Sequence, residues 1–288
     1  MSKLLRANFA RLWKSRIFWI GMLFMFGIGL LVLYSEYLHK LHIMHLMQME
    51  DYPLSIDGSL FGSCMYIPMV ASVFMGLFIG TEYSDGTIRN KLIVGNSRVA
   101  VYFANFIVAL SASIMMHLVY IITIIMIGVP VIGNIEQKVE TLVILFLMSI
   151  ITLTAIIAIF MFISMLIHSK ANASVVAILV AMAMTMSASY INARLSEPEY
   201  YEAYSVTFTD ESGEVHEEKS EKELNPYYLR GAKRKAYEFM LDFLPGCQML
   251  QIAYQEVSDY VRLPLYSLGI IVVVSAGGMI WFRRQDLK

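Results

Sequence analysis

Six stretches of the chain, 17–34, 61–80, 102–127, 141–167, 171–191 and 263–282, contain no aspartate, glutamate, lysine or arginine. A helix of about 20 apolar residues crosses the hydrocarbon core of a bilayer. No water reaches that core, so each crossing segment must satisfy its own backbone N–H and C=O groups, and a helix does this within itself. Composition agrees: 58% of the residues are hydrophobic and 16% charged, against about 25% charged in soluble domains. The expected fold class is an all-α integral membrane protein with six transmembrane helices.

The short segments between the runs differ in charge. Residues 1–16 carry Lys3, Arg6, Arg11, Lys14 and Arg16 and no acid; the third such segment, 81–101, carries Arg89, Lys91 and Arg98; Lys170 follows the fourth run, and Arg283, Arg284 and Lys288 follow the last. The alternate short segments hold only Lys40 and Lys138 as basic residues. Basic loops stay on the cytoplasmic side, so both termini are expected in the cytoplasm. Leu5, Phe9, Leu12 and Trp13 share a helical face, which reads as an amphipathic helix lying on the leaflet. No small-residue cleavage site follows the first run, so it is expected to be retained as a span rather than removed as a signal.

The chain then divides into an interfacial helix (1–16), five spans with a polar island at 81–101 (17–191), an outer segment (192–262), and a last span with its tail (263–288). The outer segment holds 14 acidic and 8 basic residues. Its only long charged stretch being acidic, the chain offers nothing for nucleic acid. Val206 to Phe208 and Val215 flank a turn near Ser212-Gly213, which suggests a small hairpin. Ala232, Ala236, Phe239, Met240, Phe243 and Leu244 form an amphipathic face, broken by Pro245-Gly246, and 248–257 can form a second short helix. Two short helices around a break, just before a span, can dip into the outer leaflet.

The island reads as a short helix. Ser84 and Asp85 are N-cap types, Ile88 and Leu92 share a face, Gly95 suits a left-handed helix end, and Asn96-Ser97 can cap the next helix. A solvated connector is the alternative. Close-packing patterns fall on two spans. Gly76 and Gly80 form a GxxxG pair, and Ala173, Ala177, Ala181, Thr185 and Ser189 recur every fourth residue, which lets a neighbouring helix approach. Pro68 can kink the second span, and Gly128-Val129-Pro130 is expected to end the third.

Other signals stay open or weak. Cys64 and Cys247 form no metal motif; both fall near the outer face, where a bridge between them is possible. His39, His42 and His45 repeat at spacing three without a carboxylate or cysteine to complete a metal set, and an extension of the first helix is the plainer reading. No GxxxxGK[ST] phosphate loop occurs, so ATP is not bound by this chain in the usual way. No paired carboxylates or nucleophile with a base mark an intramembrane enzyme. A secondary transporter or channel is the other alternative, but such transporters need a titratable group inside the membrane. His117 is the only ionisable side chain well inside a run, and a hydrogen bond to a neighbouring helix accounts for it.

Glu82, Gly86-Thr87-Ile88-Arg89, Lys91-Leu92 and Ser97-Arg98, with the LLRANFARLWKSRIFW start, the FLPGCQ break and the WFRRQDLK finish, resemble the permease subunits of bacterial type-2 ATP-binding-cassette exporters. The resemblance implies a dimer of permeases, homomeric or heteromeric, driven by separate cytoplasmic ATPase subunits that bind ATP and Mg; this chain would bind no cofactor. It implies that the island, through Glu82, Asp85, Gly86, Thr87, Ile88, Arg89, Leu92 and Arg98, docks on the ATPase as a coupling helix. Spans two and five, with Gly76, Gly80, Ala173, Ala177, Ala181, Thr185 and Ser189, would line the dimer interface and path. Short helices around Pro245 and Gly246 would cover its outer end. Within this reading Lys91 is solvent-facing. A methionine-rich path (21 Met) suits amphipathic peptides such as bacteriocins or peptide toxins, for export or self-immunity; small hydrophobic drugs and lipid-linked glycans are the alternatives.

Overall fold

A computed structural model describes residues 1–49, 54–167, 169–201, 205–209, 215–219 and 221–284. Its helices are α1 (Ser2–Lys14), α2 (Arg16–Met47), α3 (Asp57–Leu60), α4 (Ser63–Ser84), α5 (Thr87–Ile93), α6 (Arg98–Thr123), α7 (Val129–Val131), α8 (Val139–Leu166), α9 (Lys170–Leu195), α10 (Gly231–Phe243), α11 (Pro245–Tyr254) and α12 (Arg262–Arg284). Strand β1 (Tyr200–Tyr201) pairs antiparallel with β4 (Glu223–Leu224), and β2 (Ser205–Thr209) with β3 (Val215–Lys219) in the register Ser205 to Lys219. The expected hairpin is thus present in its strands; its turn at Ser212-Gly213 lies outside the described residues, as do Glu50, Asp51, His168 and Lys288.

Among the described residues six helical segments are long and apolar enough to cross a membrane: α2, α3 with α4, α6 through α7, α8, α9 and α12. Two boundaries differ from the sequence expectation. The first helix continues past residue 34 to Met47. Polar residues on its added turns find partners: Glu36 accepts from Ser59 Oγ at 3.0 Å, and Lys40 Nζ donates to the Ile132 carbonyl at 3.0 Å. Its 32 residues span about 48 Å, well beyond the hydrocarbon thickness. The third span does not stop before Pro130. A π turn, Ile124–Gly128, precedes the proline and the helix closes as α7. Proline has no N–H and its ring crowds the carbonyl four residues back; the wider π turn makes room.

The second span is the most enclosed of the six and α12 the least. Helix α4 packs on α9, α8, α6, α2 and α11; α12 packs on α8, and α2 on α6. Between helices in lipid there is no hydrophobic drive, so close contact and hydrogen bonds hold the bundle. His117 is one such tie. Its Nδ1 lies 2.9 Å from Ser63 Oγ on α4 and its Nε2 lies 3.0 Å from Ser149 Oγ on α8. Cys64 and Cys247 are both buried and unpaired.

Helix α1 is not simply laid on a leaflet by its apolar side. Leu4, Asn8 and Leu12 are buried at successive turns, and the helix packs on α6, while Lys3, Arg6, Trp13, Lys14 and Arg16 remain exposed. One end of the bundle therefore gathers α1, α5, the starts of α6 and α9 and the end of α12. The other end gathers α3, α10 and α11.

Candidate functional site

The corner between α4 and α6 is built by two left-handed glycines. Helix α4 runs through Ser84 with Asp85 as its C-cap, and Gly86, at φ +67°, both ends it and N-caps α5. Ser84 and Asp85 therefore do not cap α5, as their residue types suggest. The N–H of Asp85 goes back to Thr81 O at 2.9 Å and that of Gly86 to Tyr83 O at 3.2 Å, and a glycine beyond the C-cap closes a helix without a Cβ clash. At the far side Gly95 has φ +94°, as expected. Asn96 Nδ2 donates to Lys91 O at 2.9 Å, and Ser97 caps α6 by accepting from Ala100 N–H at 3.2 Å.

Ile88 and Leu92 do share a face, but it points into the protein. Ile88 is 1% exposed, and Leu92, half-buried, is packed against the same core. A seven-residue helix cannot persist without tertiary packing, and this pair supplies it. The side presented outward is Asp85, Arg89, Asn90 and, at its tip, Ile93 (71% exposed) and Val94 (82%). Thr87 is half-buried. Arg98 is also turned inward: its Nη1 donates to the Phe282 carbonyl at 2.7 Å, tying α6 to the end of α12.

Glu82, on the last turn of α4, is 0% exposed. Its Oε1 accepts from Lys91 Nζ of α5 and from Arg11 Nη1 of α1, the latter at 2.6 Å. Its Oε2 accepts from Asn105 Nδ2 of α6 at 2.6 Å. Asn105 Oδ1 accepts in turn from Asn8 Nδ2 at 2.6 Å, and Asn8 Oδ1 accepts from Lys91 Nζ at 2.8 Å. The Arg11 guanidinium lies 3.8 Å over the Phe78 ring. Burial pushes the Arg11 guanidinium below its usual pKa, opposed by the Glu82 and Asp85 carboxylates. Burial likewise lowers Lys91, opposed by the charge and hydrogen bond of Glu82. Stripping such groups of water costs several kcal/mol per ion, roughly, and mutual pairing is what keeps them charged.

Lys91 is thus not solvent-facing; its side chain is 12% exposed. Asn8, Arg11 and Asn105 were missed as members of this site. The signals were faint but present. Asn105 is the one amide in the third run, and Asn8 sits on the Leu4–Leu12 line, at the spacing of one helical turn.

The small residues of spans two and five meet each other within the chain. A Cβ on Gly76 would lie 2.5 Å from Ser174 Cα, and one on Gly80 2.9 Å from Lys170 Cα. Ala173, Ala177 and Ala181 are fully buried in the most extensive helix–helix contact of the bundle, α4 against α9. These five positions, expected at a dimer interface and path, are buried within the chain between α4 and α9. Thr185 is half-buried and Ser189 exposed, while Ala188 is buried. A four-residue step overshoots the helical turn by roughly 40°, so the stripe drifts off the contact face.

At the opposite end Pro245 does not sit in a break. It starts α11, and the break falls one residue earlier at Leu244. Proline is suited to the first turn, where its missing N–H is not needed. A Cβ on Gly246 would meet the Met184 carbonyl oxygen at 2.7 Å, so α11 lies hard against α9. Gln248 holds it there: Oε1 accepts from Thr152 of α8 and Ser267 of α12, and Nε2 donates to the Asp242 and Leu263 carbonyls. Among the described residues no three His, Cys, Asp or Glu side chains come together as a metal set, and His39, His42 and His45 are exposed on the last turns of α2.

A family model described as ABC-2 family transporter protein matches residues 4–188, from α1 to near the end of α9. The chain belongs to the ABC-2 transporter family. No curated protein matches the chain. The permease is therefore a multi-pass membrane subunit of an ABC transporter, not a catalytic enzyme, and its family implies an ABC ATPase as partner. The matched region contains the whole Glu82 cluster and the α4–α9 contact; α10, α11 and α12 lie beyond it.

Proposed function

We propose that the permease is one half of an ATP-driven exporter in a bacterial plasma membrane, with both termini and α5 on the cytoplasmic side. Two copies, identical or not, form the path, and separate ATPase subunits bind ATP and Mg. The observation that carries this reading is the outward side of α5. Ile93 and Val94 stand exposed at the tip of a polar corner, beside Arg89 and Asn90. Burying one such side chain in a partner groove contributes about 1.5–3 kcal/mol, and Arg89 can orient it by charged hydrogen bonds. The same end carries Lys3, Arg6, Lys14, Arg16, Lys170, Arg283 and Arg284, which supports the orientation.

In this reading ATP binding favours one arrangement of the paired ATPases, and α5 biases the permease toward outward-open by the same free energy. The cargo is an amphipathic peptide, exported or expelled for self-protection. In support, an apolar groove of about 320 Å³ opens between α2 and α4, lined by Ile17, Ile20, Phe24, Met69, Val73 and Phe74, among others. It offers no partner for a glycan hydroxyl.

The test is to purify the permease with its ATPase and to change the tip. Ile93→Asp with Val94→Asp should weaken docking by about tenfold or more, because two apolar anchors are replaced by charge, while the spans still insert. Undiminished docking and cargo flux in that double variant would remove α5 from the ATPase contact.

A further inference from the structure

The Glu82 cluster joins two distant parts of the sequence: Arg11 of α1, Lys91 of α5 and Asn105 of α6 meet on a carboxylate of α4, and Asn8 of α1 bonds Lys91 and Asn105. Three features distinguish it from a fixed tie. Lys91 bonds α1 directly, through Asn8 at 2.8 Å. The covalent link from α4 to α5 runs through Gly86, left-handed and with open space where a Cβ would be, so no side chain braces this joint. The cluster is also oversupplied with donors. Two cations share Oε1 of Glu82, and Arg11 Nε and Nη2 are buried without a hydrogen-bond partner among the described residues. Asp85, exposed beside Gly86, is the second carboxylate acting on Arg11.

Helix α1 in turn grips the first span. The Trp13 carbonyl accepts from Trp19 Nε1 at 2.9 Å, and the Trp13 ring meets Phe18 edge-on with centroids 5.6 Å apart. Ile17, Ile20 and Phe24, on the turns next to this elbow, form one wall of the apolar groove whose other wall is α4.

We propose that Lys91 and Glu82 are positioning residues that yoke α1 to α5, so that α1 travels with α5 and, through the Trp13–Trp19 elbow, moves α2 against α4 and changes the width of the groove. This rests on α5 being the element the ATPase grips. Lys91→Met leaves Glu82 paired with Arg11 and Asn105, so it strands no buried charge. It cuts α5 from α1 while α1 stays held on α4.

The experiment uses the permease–ATPase complex in lipid nanodiscs, with cysteines added to a variant lacking Cys64 and Cys247. Spin-label pairs Ala10→Cys/Arg284→Cys and Asn90→Cys/Arg284→Cys report the positions of α1 and α5. On trapping with a non-hydrolysable ATP analogue, both distances should shift in the parent. In Lys91→Met the α5 shift should persist and the α1 shift vanish, with flux per ATP down by about fivefold or more, the lower end of ordinary coupling between sites. Lys91→Arg, which keeps the charge and donors, should restore both. Asn8→Leu cuts the same link from the α1 side and guards against a folding defect in one variant. An α1 shift that survives both Lys91→Met and Asn8→Leu overturns the yoke. So does an α1 that stays still in the parent while α5 moves. If α5 itself does not move in the parent, the coupling role of α5 fails, and the yoke with it.

Discussion

Each end of the bundle is organised by one buried polar side chain that ties several helices, and the two differ in kind. Gln248 is neutral and fully satisfied: two hydroxyls donate to its oxygen and its amide donates to two carbonyls. Glu82 is charged and crowded, with two cations on one oxygen and spare donors on Arg11. A saturated neutral amide has a single low-energy arrangement, because any shift leaves a buried group without a partner. A carboxylate with surplus donors keeps partners through a rearrangement. The first suits an end that stays put and the second an end that moves.

The most disruptive way to break this comparison is Glu82→Gln. It leaves Lys91 without its counter-charge and Arg11 with only the exposed Asp85, and removing one partner of a buried ion pair costs about 3–5 kcal/mol. The purified permease should lose most of its thermal stability. Replacing Glu82, Arg11 and Lys91 together with methionine should restore the melting temperature and not the cargo flux, because apolar residues of similar volume fill a buried ionic site without a desolvation cost. A triple variant that transports normally would make the cluster a packing device like Gln248.

Next in size is Leu92→Pro. It removes a hydrogen bond within α5 and crowds the preceding turn, at about 3 kcal/mol. The spans should insert, while docking of the ATPase and cargo flux, measured on the same preparation, should both fall. Gln248→Leu comes below it. Two hydroxyls and two carbonyls lose their partner, each buried loss costing about 1–3 kcal/mol before relaxation. Melting temperature should drop while flux per ATP stays unchanged; a change in that ratio would erase the distinction between the ends.

Ala177→Leu probes the shaft between them. Overpacking α4 against α9 costs about 1–3 kcal/mol, and the loss should appear in stability rather than in dimerisation. The smallest effect is expected from the orientation test, since exposed substitutions change stability by only about 0.5 kcal/mol. Single cysteines at Ser84 and Ser196, both exposed and at opposite ends, should label from opposite sides of intact cells. Labelling from one side would put the two hubs in the same compartment.

Much of the architecture could be read in the chain itself. A charge-free run of span length has one outcome in a bilayer, so all six spans follow from the sequence. Gly95 and Ser97 mark helix ends because their chemistry is local. Periodicity also grouped Ile88 with Leu92, and Ala173 with Ala177 and Ala181. What it could not supply was the partner of each face. A small-residue stripe fits a second copy as well as a neighbour in the same chain, and an apolar pair fits an ATPase groove as well as its own core.

The sequence by itself determined where the chain crosses the membrane and where its helices turn, because those depend on desolvation and backbone conformation over a few residues. Only the tertiary structure decided that α4 and α9 consume their own small residues, that α5 shows Ile93 and Val94 rather than Ile88 and Leu92, and that Lys91 is buried on Glu82. The reason is distance along the chain. Asn8, Arg11, Glu82, Lys91 and Asn105 are separated by up to 97 positions, and a charge read alone looks solvated until packing brings it a counter-charge.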